Sequence, residues 1–454
     1  MPASCRVAVV GSGPAGFYAA GALLASEEPE VAVDLIDRLP TPWGLVRLGV
    51  APDHPNIKAV SRAFEKIARH DRFRFFGNVE LGRDVTHDEL AERYHAVVYA
   101  VGAQTDRQLG IPGEELPGSW PATAFVAWYN GHPDFQGLEF DLSHERAVVI
   151  GNGNVALDVA RMLALTPEEL APTDTTDAAI DAINAAGVRE VLVVGRRGPV
   201  QAAWTPVEVG ELGELAGADV LVERRDLQLD AASAAELEAA PPTVRRNVDH
   251  LREYAEREPA GKPRAIRLRF FRSPVAILGD GRVEAIQLVR NELVDGRAIP
   301  TDETETIECG IVFRSVGYRG VPLPGVPFED GSGTMPNAGG RVLGADSEPV
   351  PGVYCAGWIK RGPSGVIGTN KKDASETVEL LLEDARAGLL PDASAEDLEL
   401  LLAERGVAHV LYAGWEAIDA DERGRGEPLG RPRVKLATWD ELLAAASAQR
   451  TSRP

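Results

Sequence analysis

The chain has 454 residues with a formal net charge of −22 at pH 7, and 44% of its residues are hydrophobic. This length and composition are typical of a large globular protein of roughly two to three domains, and no apolar stretch is long enough for a membrane span. The acidic balance argues against a nucleic-acid partner, since phosphate binding requires a basic surface. No signal-peptide pattern precedes the first strand, so we expect a cytoplasmic protein that does not bind a membrane.

A glycine-rich loop follows the first predicted strand, residues 7–10, and opens a helix predicted from residue 14 to about 25. Glycines in the spacing Gly-x-Gly-x-x-Gly bring the pyrophosphate of a dinucleotide onto a helix N-terminus. The next strand ends at Asp37, whose carboxylate suits ribose hydroxyls and repels a 2′-phosphate. This site therefore fits FAD or NAD but not NADP. Its predicted contacts are Gly11, Gly13, Pro14, Ala15, Gly16 and Asp37.

The segment after this first unit carries a helix predicted over about 57–70 and an apolar strand at 95–101. That strand ends in small residues, so the backbone at Ala100 and Gly102 is expected to lie against the first nucleotide.

The glycine pattern occurs a second time in the middle of the chain, after the apolar residues 148–150. The strand that follows, residues 191–195, ends in Arg196 and Arg197 instead of a carboxylate. Two guanidinium groups at this corner suit a 2′-phosphate, which predicts NADP, although two surface arginines without a ligand are the alternative. The predicted contacts are Gly151, Asn152, Gly153, Asn154, Val155, Arg196 and Arg197.

A third small-residue loop follows a predicted strand that ends in Gly357 and Trp358, and a helix is predicted to begin near Thr369. The positive end of that helix suits the N1/O2 edge of a flavin that becomes anionic on reduction, while an ordinary capped helix is the alternative. A predicted strand near 311–318 returns the chain to the first unit. We therefore predict an α/β protein with two Rossmann-like dinucleotide-binding domains, the NADP domain (106–318) inserted into a discontinuous FAD domain (1–105 and 319–454).

The three cysteines, Cys5, Cys309 and Cys355, form no Cys-x-x-Cys pair. This excludes flavoproteins that pass electrons to a closely spaced disulfide, and it leaves the cysteines as small buried hydrophobes. The eight histidines show no metal-ligand spacing, so no metal site is predicted.

Several motifs together resemble adrenodoxin reductase and its bacterial relatives, the NADPH–ferredoxin reductases of that type. They lie at residues 42–47, 151–158, 195–199 and 360–370, and further matches extend over nearly the whole chain. Local departures from the family pattern are Trp204 and Gly210, which concern the fine geometry of the substrate site.

The resemblance implies that NADPH gives a hydride to FAD N5 and that the flavin passes two electrons singly to an iron–sulfur ferredoxin. It implies that His54 and Glu211 orient the nicotinamide, with a surface ion pair as the alternative, and that neither is an obligatory acid or base. The further contacts that it implies for FAD are Gly44, Leu45, Val46, Trp358, Gly365, Val366 and Ile367, and those for NADP are Glu208 and again Gly365.

The implied partner is a small acidic ferredoxin, which needs a local cationic face on this acidic protein, and we expect the protein to be a monomer. Candidate residues are Arg245, Arg246 and Arg252 on a predicted amphipathic helix, with Lys58 and Arg62 near the flavin entrance; a solvated basic helix is the alternative. Two other functions stay open at this stage. One is an electron-input flavoprotein of the glutamate synthase small subunit type, which normally also carries iron–sulfur cysteine clusters. The other is a non-enzymatic NADP-binding sensor.

Overall fold

The computed structural model describes residues 4–365 and 367–447. Its strands are β1 (Ser4–Val10), β2 (Glu30–Ile36), β3 (Phe73–Phe76), β4 (Ala96–Tyr99), β5 (Thr105–Asp106), β6 (Ser119–Pro121), β7 (Arg146–Ile150), β8 (Glu190–Val194), β9 (Ala218–Val222), β10 (Arg264–Arg269), β11 (Arg272–Leu278), β12 (Ala285–Val294), β13 (Arg297–Glu308), β14 (Ile311–Arg314), β15 (Tyr318–Arg319), β16 (Asn337–Ala338), β17 (Arg341–Leu343) and β18 (Pro349–Cys355).

The α-helices are α1 (Pro14–Leu24), α2 (Leu45–Leu48), α3 (Pro55–Lys58), α4 (Ser61–Ala68), α5 (His87–Arg93), α6 (Ala122–Tyr129), α7 (Asn154–Ala164), α8 (Pro167–Leu170), α9 (Asp177–Asn184), α10 (Pro206–Leu212), α11 (Ala231–Ala239), α12 (Pro242–Glu256), α13 (Trp358–Arg361), α14 (Ile367–Arg386), α15 (Leu398–Glu404), α16 (Tyr412–Gly426) and α17 (Trp439–Ser447). Among the residues given above, no helix combines the length and the apolar character that a bilayer crossing requires.

The chain divides into two compact units. The first unit takes the chain up to Thr105, then Gly317–Pro428, and the chain from Leu436 onward. The second unit takes Asp106–Val316 and the short segment Leu429–Lys435. The α/β class with two Rossmann-like units is confirmed.

The first unit is built on a seven-stranded sheet in the order β16-β17-β18-β4-β1-β2-β3. Strands β18, β4, β1, β2 and β3 run parallel, and β16 and β17 add an antiparallel edge. The central strands are apolar on both faces because helices cover both faces, as parallel sheets require. Helices α1 and α14 pack on one face, and α5 and α15 pack on the other.

The second unit has a six-stranded parallel sheet in the order β6-β14-β7-β8-β10-β9. Helices α6, α7, α10 and α12 bury one face of this sheet. The antiparallel sheet β11-β12-β13 buries part of the other face, where Ile277, Ile286 and Leu288 pack on β7 and β8. The second glycine loop thus also leaves a buried central strand and opens a helix.

The structure differs from the expected segment boundaries at three places. The helix predicted over 57–70 is two helices, α3 and α4, because bonds from Val60 N to Ile57 O and from Ala63 N to Val60 O tighten the chain between them. The segment Leu429–Lys435 does not belong with the rest of the C-terminal part, since it clusters with the second unit. The chain returns from the second unit to the first unit after Val316, two residues before the expected limit at 318.

Segment Leu429–Lys435 joins the second unit through two buried cations. Arg431 donates to the carbonyls of Thr173 and Thr175 and pairs with Asp177. Lys435 Nζ lies 3.1 Å from Asn130 Oδ1 and 3.3 Å from Asp174 Oδ2, and its side chain is fully buried. This polar arrangement has no hydrophobic periodicity, which is why the sequence pattern does not predict it.

Candidate functional site

The three glycines of the first loop have different surroundings. A Cβ on Gly11 would lie 2.5 Å from the Ala100 carbonyl oxygen, and one on Gly16 would lie 1.9 Å from the Gly11 carbonyl oxygen. A Cβ on Gly13, by contrast, would meet nothing within 4 Å. Gly11 and Gly16 are therefore needed for backbone packing, whereas Gly13 leaves an open cradle at the N-terminus of α1, where a phosphate group fits.

Asp37 lies directly after β2 and holds this loop in place. Its Oδ2 accepts the Ser12 N–H at 2.7 Å and the Ser12 hydroxyl at 2.5 Å, and its Oδ1 accepts the Leu39 N–H at 2.9 Å. Burial raises the pKa of the Asp37 carboxyl, and these hydrogen bonds oppose the rise. Because a carboxylate oxygen has two lone-pair sites, Oδ1 keeps capacity for a ribose hydroxyl. The bond to Ser12 was not anticipated from the sequence.

The segment around Gly44 lies against the same loop. A Cβ on Gly44 would lie 2.8 Å from Gly13 Cα, and the Trp43 N–H donates to the Ser12 carbonyl at 3.1 Å. Trp43 has a φ of 85°, which is rare for a bulky residue and marks a conformation that the surroundings must enforce. Leu45 is 40% exposed whereas Val46 is buried.

Aromatic and ionic contacts enforce this conformation. The Trp43 ring lies 4.6 Å from that of Phe17 and 6.1 Å from that of Trp415. Arg47 and Glu422 form a buried bidentate ion pair, with Arg47 Nη1 2.8 Å from Glu422 Oε2. Helix α16 thus supports a segment that lies 375 positions away in the sequence.

Two further backbone stretches of the first unit meet this loop. Ala100 is buried with its carbonyl against Gly11, while a Cβ on Gly102 would meet nothing within 4 Å. A Cβ on Gly357 would lie 2.6 Å from the Cβ of Ala15, beside Pro14 at the start of α1. The ends of β1, β4 and β18 therefore lie together where parallel sheets bind ligands.

The loop between β18 and α14 contains an unexpected short helix, α13, which Trp358 begins. Trp358 Nε1 donates to the Ser364 carbonyl at 3.2 Å, and its ring lies 5.3 Å from that of Tyr318. Gly365 has a φ of 80° and Ile367 begins α14. Val366, the remaining predicted contact here, lies outside the described residues.

The second glycine loop repeats the geometry of the first. A Cβ on Gly151 would lie 2.0 Å from the Ser315 carbonyl oxygen, and a Cβ on Gly153 would meet nothing within 4 Å. Ala156 takes the third position and is fully buried. The middle glycine again leaves an open cradle, here at the N-terminus of α7, and Asn152 and Val155 flank it.

The second loop is joined at two places to the segment that leads into α10. Asn154 Oδ1 accepts the Thr205 N–H at 2.8 Å, and the Asn152 carbonyl accepts the Ala203 N–H at 2.9 Å. Thr205 caps α10, the helix that carries Glu208 and Glu211.

A buried arginine on α7 holds these two glutamates. Arg161 Nη1 lies 3.3 Å from Glu208 Oε2 and 3.4 Å from Glu211 Oε2, and Arg161 Nη2 lies 3.0 Å from Asp158 Oδ1. Glu208 is 6% exposed, while Glu211 is half-buried. Arg161 was not predicted as a site residue, although its spacing of three positions from Asp158 on one helix is a usable signal.

Arg196 and Arg197 follow β8, beside the second loop. Arg196 is exposed and Arg197 is half-exposed. Their carbonyls accept hydrogen bonds from Asn291 and Phe271, which fixes the backbone. Neither guanidinium has a hydrogen bond or an ion pair with any described residue, whereas the buried Arg161, Arg269 and Arg314 all have acidic partners. Two unpaired cations on a fixed backbone suit an anionic ligand.

The remaining predicted site residues divide between the units. His54 is buried in the first unit, at the N-terminus of α3, and Glu211 belongs to the second. In the docking set, Arg245, Arg246 and Arg252 are exposed on α12, and Arg252 pairs with Asp249 at 3.3 Å. The other two docking candidates, Lys58 and Arg62, belong to the first unit, where Arg62 is exposed and Lys58 is half-buried.

The three cysteines are buried and form no disulfide bond. Burial raises the pKa of the Cys5 thiol to about 11 and those of Cys309 and Cys355 to about 12. None of them is therefore a reactive thiolate at neutral pH.

Comparisons with known proteins agree with this geometry. Residues 5–170 match the family model described as pyridine nucleotide-disulphide oxidoreductase. The chain is 52% identical to NADPH-ferredoxin reductase FprA of Mycobacterium tuberculosis, over 96% of this chain and 98% of that protein. It is 46% identical to the human mitochondrial NADPH:adrenodoxin oxidoreductase, over 96% of this chain and 91% of that protein.

A solved structure of M. tuberculosis FprA in complex with NADPH is similar to this chain, with a TM-score of 0.92 at 50% identity. The match covers 98% of this chain and 99% of that structure. The chain belongs to the NADPH–ferredoxin reductase family that includes FprA and adrenodoxin reductase.

Proposed function

We propose that this protein is an FAD-dependent NADPH–ferredoxin oxidoreductase. The observation that carries the proposal is the difference between two loops of the same design. Each loop has an open glycine at the start of a helix, but one is followed by Asp37 and the other by Arg196 and Arg197. A carboxylate selects against a 2′-phosphate and paired guanidiniums select for it, so one site takes FAD and the other takes NADP.

In this proposal the first unit is the FAD-binding domain. The cradle at Gly13 receives the pyrophosphate on the N-terminus of α1, and Asp37 receives a ribose hydroxyl. Gly44, Leu45, Val46, Ala100, Gly102, Trp358, Gly365 and Ile367 would contact the flavin, and Val366, the remaining contact predicted from the sequence, lies outside the described residues. FAD, when bound, accepts two electrons as a hydride and releases them singly. The protein supplies orientation and electrostatics for this chemistry.

The second unit is the NADP-binding domain in this proposal. The cradle at Gly153 receives the pyrophosphate, and Arg196 and Arg197 receive the 2′-phosphate. Glu208 and Glu211 are held by Arg161 on the helix that begins at that cradle. We assign His54 and Glu211 to orienting the nicotinamide. Hydride transfer moves no free proton, so neither needs to be an acid or a base.

The family relationship supports a ferredoxin-type electron partner. We propose that a monomer in the cytoplasm binds an acidic ferredoxin on the exposed arginines of α12, because the chain as a whole carries −22 and needs a local cationic face. Lys58 and Arg62, on the first unit, are the further docking candidates.

An absorption spectrum tests the proposed function directly. The purified protein should be yellow, should release FAD on acid precipitation, and should be bleached by NADPH without oxygen. Addition of an oxidised ferredoxin should restore the colour, with two ferredoxins reduced per NADPH. A colourless protein that binds NADP would instead be a sensor and would contradict the proposal.

A further inference from the structure

A buried carboxylate supports the turn that follows β18. Asp373 of α14 accepts the Gly357 N–H on Oδ2 at 2.5 Å. Its Oδ1 lies 3.1 Å from Lys360 Nζ and 3.6 Å from Arg361 Nε. A single carboxylate thus serves one backbone amide and two cations.

Other side chains of α14 bind the same turn. Lys360 Nζ donates to Thr377 Oγ1 at 3.0 Å, and Thr377 Oγ1 donates to the Cys355 carbonyl at 3.1 Å. Arg361 Nη2 donates to Asn370 Oδ1 at 2.8 Å. The turn is therefore fixed by side chains of α14, and Asp373 is the charged residue among those that bind it.

The turn that Asp373 fixes is part of the proposed flavin site. Gly357 has a φ of 78°, and a Cβ there would lie 2.6 Å from the Cβ of Ala15, in the first glycine loop. A shift of the turn would therefore move one wall of the site relative to the phosphate cradle.

The charges around Asp373 do not cancel. Lys360 and Arg361 contribute two positive charges and Asp373 contributes one negative charge, which leaves a net charge of +1. The side chains of Lys360 and Asp373 are only 10% and 9% exposed, so water screens this charge weakly. Addition of a hydride to a neutral oxidised flavin leaves an anion, which a nearby positive charge stabilises.

We propose that Asp373 is a positioning residue for the flavin and that the Lys360–Arg361–Asp373 cluster favours the reduced flavin through its net positive charge. This inference rests on the proposed function, since it assumes that the turn faces FAD. It assigns to the cluster both the placement of the turn and part of the flavin's redox potential.

The test compares charge variants that change the cluster in opposite directions. Asp373→Asn keeps an oxygen acceptor for Gly357 and raises the net charge, whereas Lys360→Met lowers it. The quantity compared is the ratio of the affinity for reduced FAD to the affinity for oxidised FAD. We expect this ratio to rise about tenfold in Asp373→Asn and to fall about tenfold in Lys360→Met. For a two-electron couple, tenfold corresponds to about 30 mV in a redox titration. The double variant should return to within about threefold of the wild type.

A matched control is Lys372→Met, because Lys372 lies on the same helix but is 85% exposed. It should leave the ratio unchanged. Equal shifts in Lys372→Met and Lys360→Met, or shifts of the same sign in Asp373→Asn and Lys360→Met, would overturn the inference. Should Asp373→Asn fail to fold, Lys360→Met against Lys372→Met still decides the point. A wild type without FAD would refute the proposed function instead.

Discussion

Removal of the unpaired guanidiniums at the second site should change nucleotide choice without changing chemistry. In Arg196→Ala and Arg197→Ala, the 2′-phosphate of NADPH would lose a charge-assisted bond, and such bonds contribute about 1.5–3 kcal/mol. Since Arg196 is exposed and Arg197 half-exposed, solvent screening favours the lower value. About 1.5 kcal/mol corresponds to a roughly tenfold rise in KM for NADPH.

The two effects should not add fully in the double variant, because both guanidiniums would bind one phosphate group. NADH lacks that phosphate, so its KM should be nearly unchanged, as should kcat with either nucleotide. The assay is steady-state reduction of ferricyanide with NADPH and NADH in parallel.

The matched control is Arg189→Ala, which removes the same charge at the opposite end of β8, where Arg189 is exposed. Its KM for NADPH should stay within about twofold of the wild type if long-range attraction is screened. Equal losses for NADPH and NADH in Arg196→Ala would mean that the arginine is structural, and the reasoning from the unpaired side chains would fail.

Three further predictions concern the loop, the nicotinamide and the partner. Gly16→Ala should abolish folding, because its Cβ would lie 1.9 Å from a carbonyl oxygen. Gly13→Ala should fold, with the melting temperature of FAD-free wild type, but should retain little FAD as measured by absorbance. Equal FAD retention in Gly13→Ala and wild type would contradict the cradle. His54→Ala and Glu211→Ala should slow flavin reduction by NADPH in rapid mixing without abolishing it, and complete loss at normal FAD content would show a larger role. Arg245→Glu should lower ferredoxin turnover at low salt while leaving ferricyanide reduction unchanged, and turnover indifferent to both salt and this reversal would place docking elsewhere.

The parts of this protein that the sequence predicts are those with a local signal. Apolar strands followed by glycine spacing identify both loops. The residues just after the next strand, Asp37 in one case and Arg196 in the other, distinguish the two nucleotide sites. The side chains that support the first loop have no such signal. Arg47 and Glu422 are 375 positions apart in the sequence, and charged residues are ordinarily predicted to be exposed. Asp373 is missed for the same reason, since its partners lie on a preceding turn and not on its own helix.

The boundary between α3 and α4 shows a different limit of prediction from the sequence. Periodicity alone joins α3 and α4 into a single helix, because the hydrogen bonds from Val60 N to Ile57 O and from Ala63 N to Val60 O interrupt the α-helical bonding without changing the apolar pattern. Hydrophobic patterns record which residues are buried, but they do not record where a helix is interrupted.

The segment Leu429–Lys435 has a consequence for any attempt to study the second unit alone. A fragment of residues 106–316 would contain Asp174 and Asn130 without Lys435. A buried carboxylate that loses its cation lowers the free energy of unfolding by about 3–5 kcal/mol. Such a fragment should fold poorly and should regain stability when a peptide of residues 429–435 is added. The second unit therefore needs two separate stretches of the chain, Asp106–Val316 and Leu429–Lys435. A truncation near the C-terminus would damage this unit, although its longer stretch ends more than a hundred residues earlier.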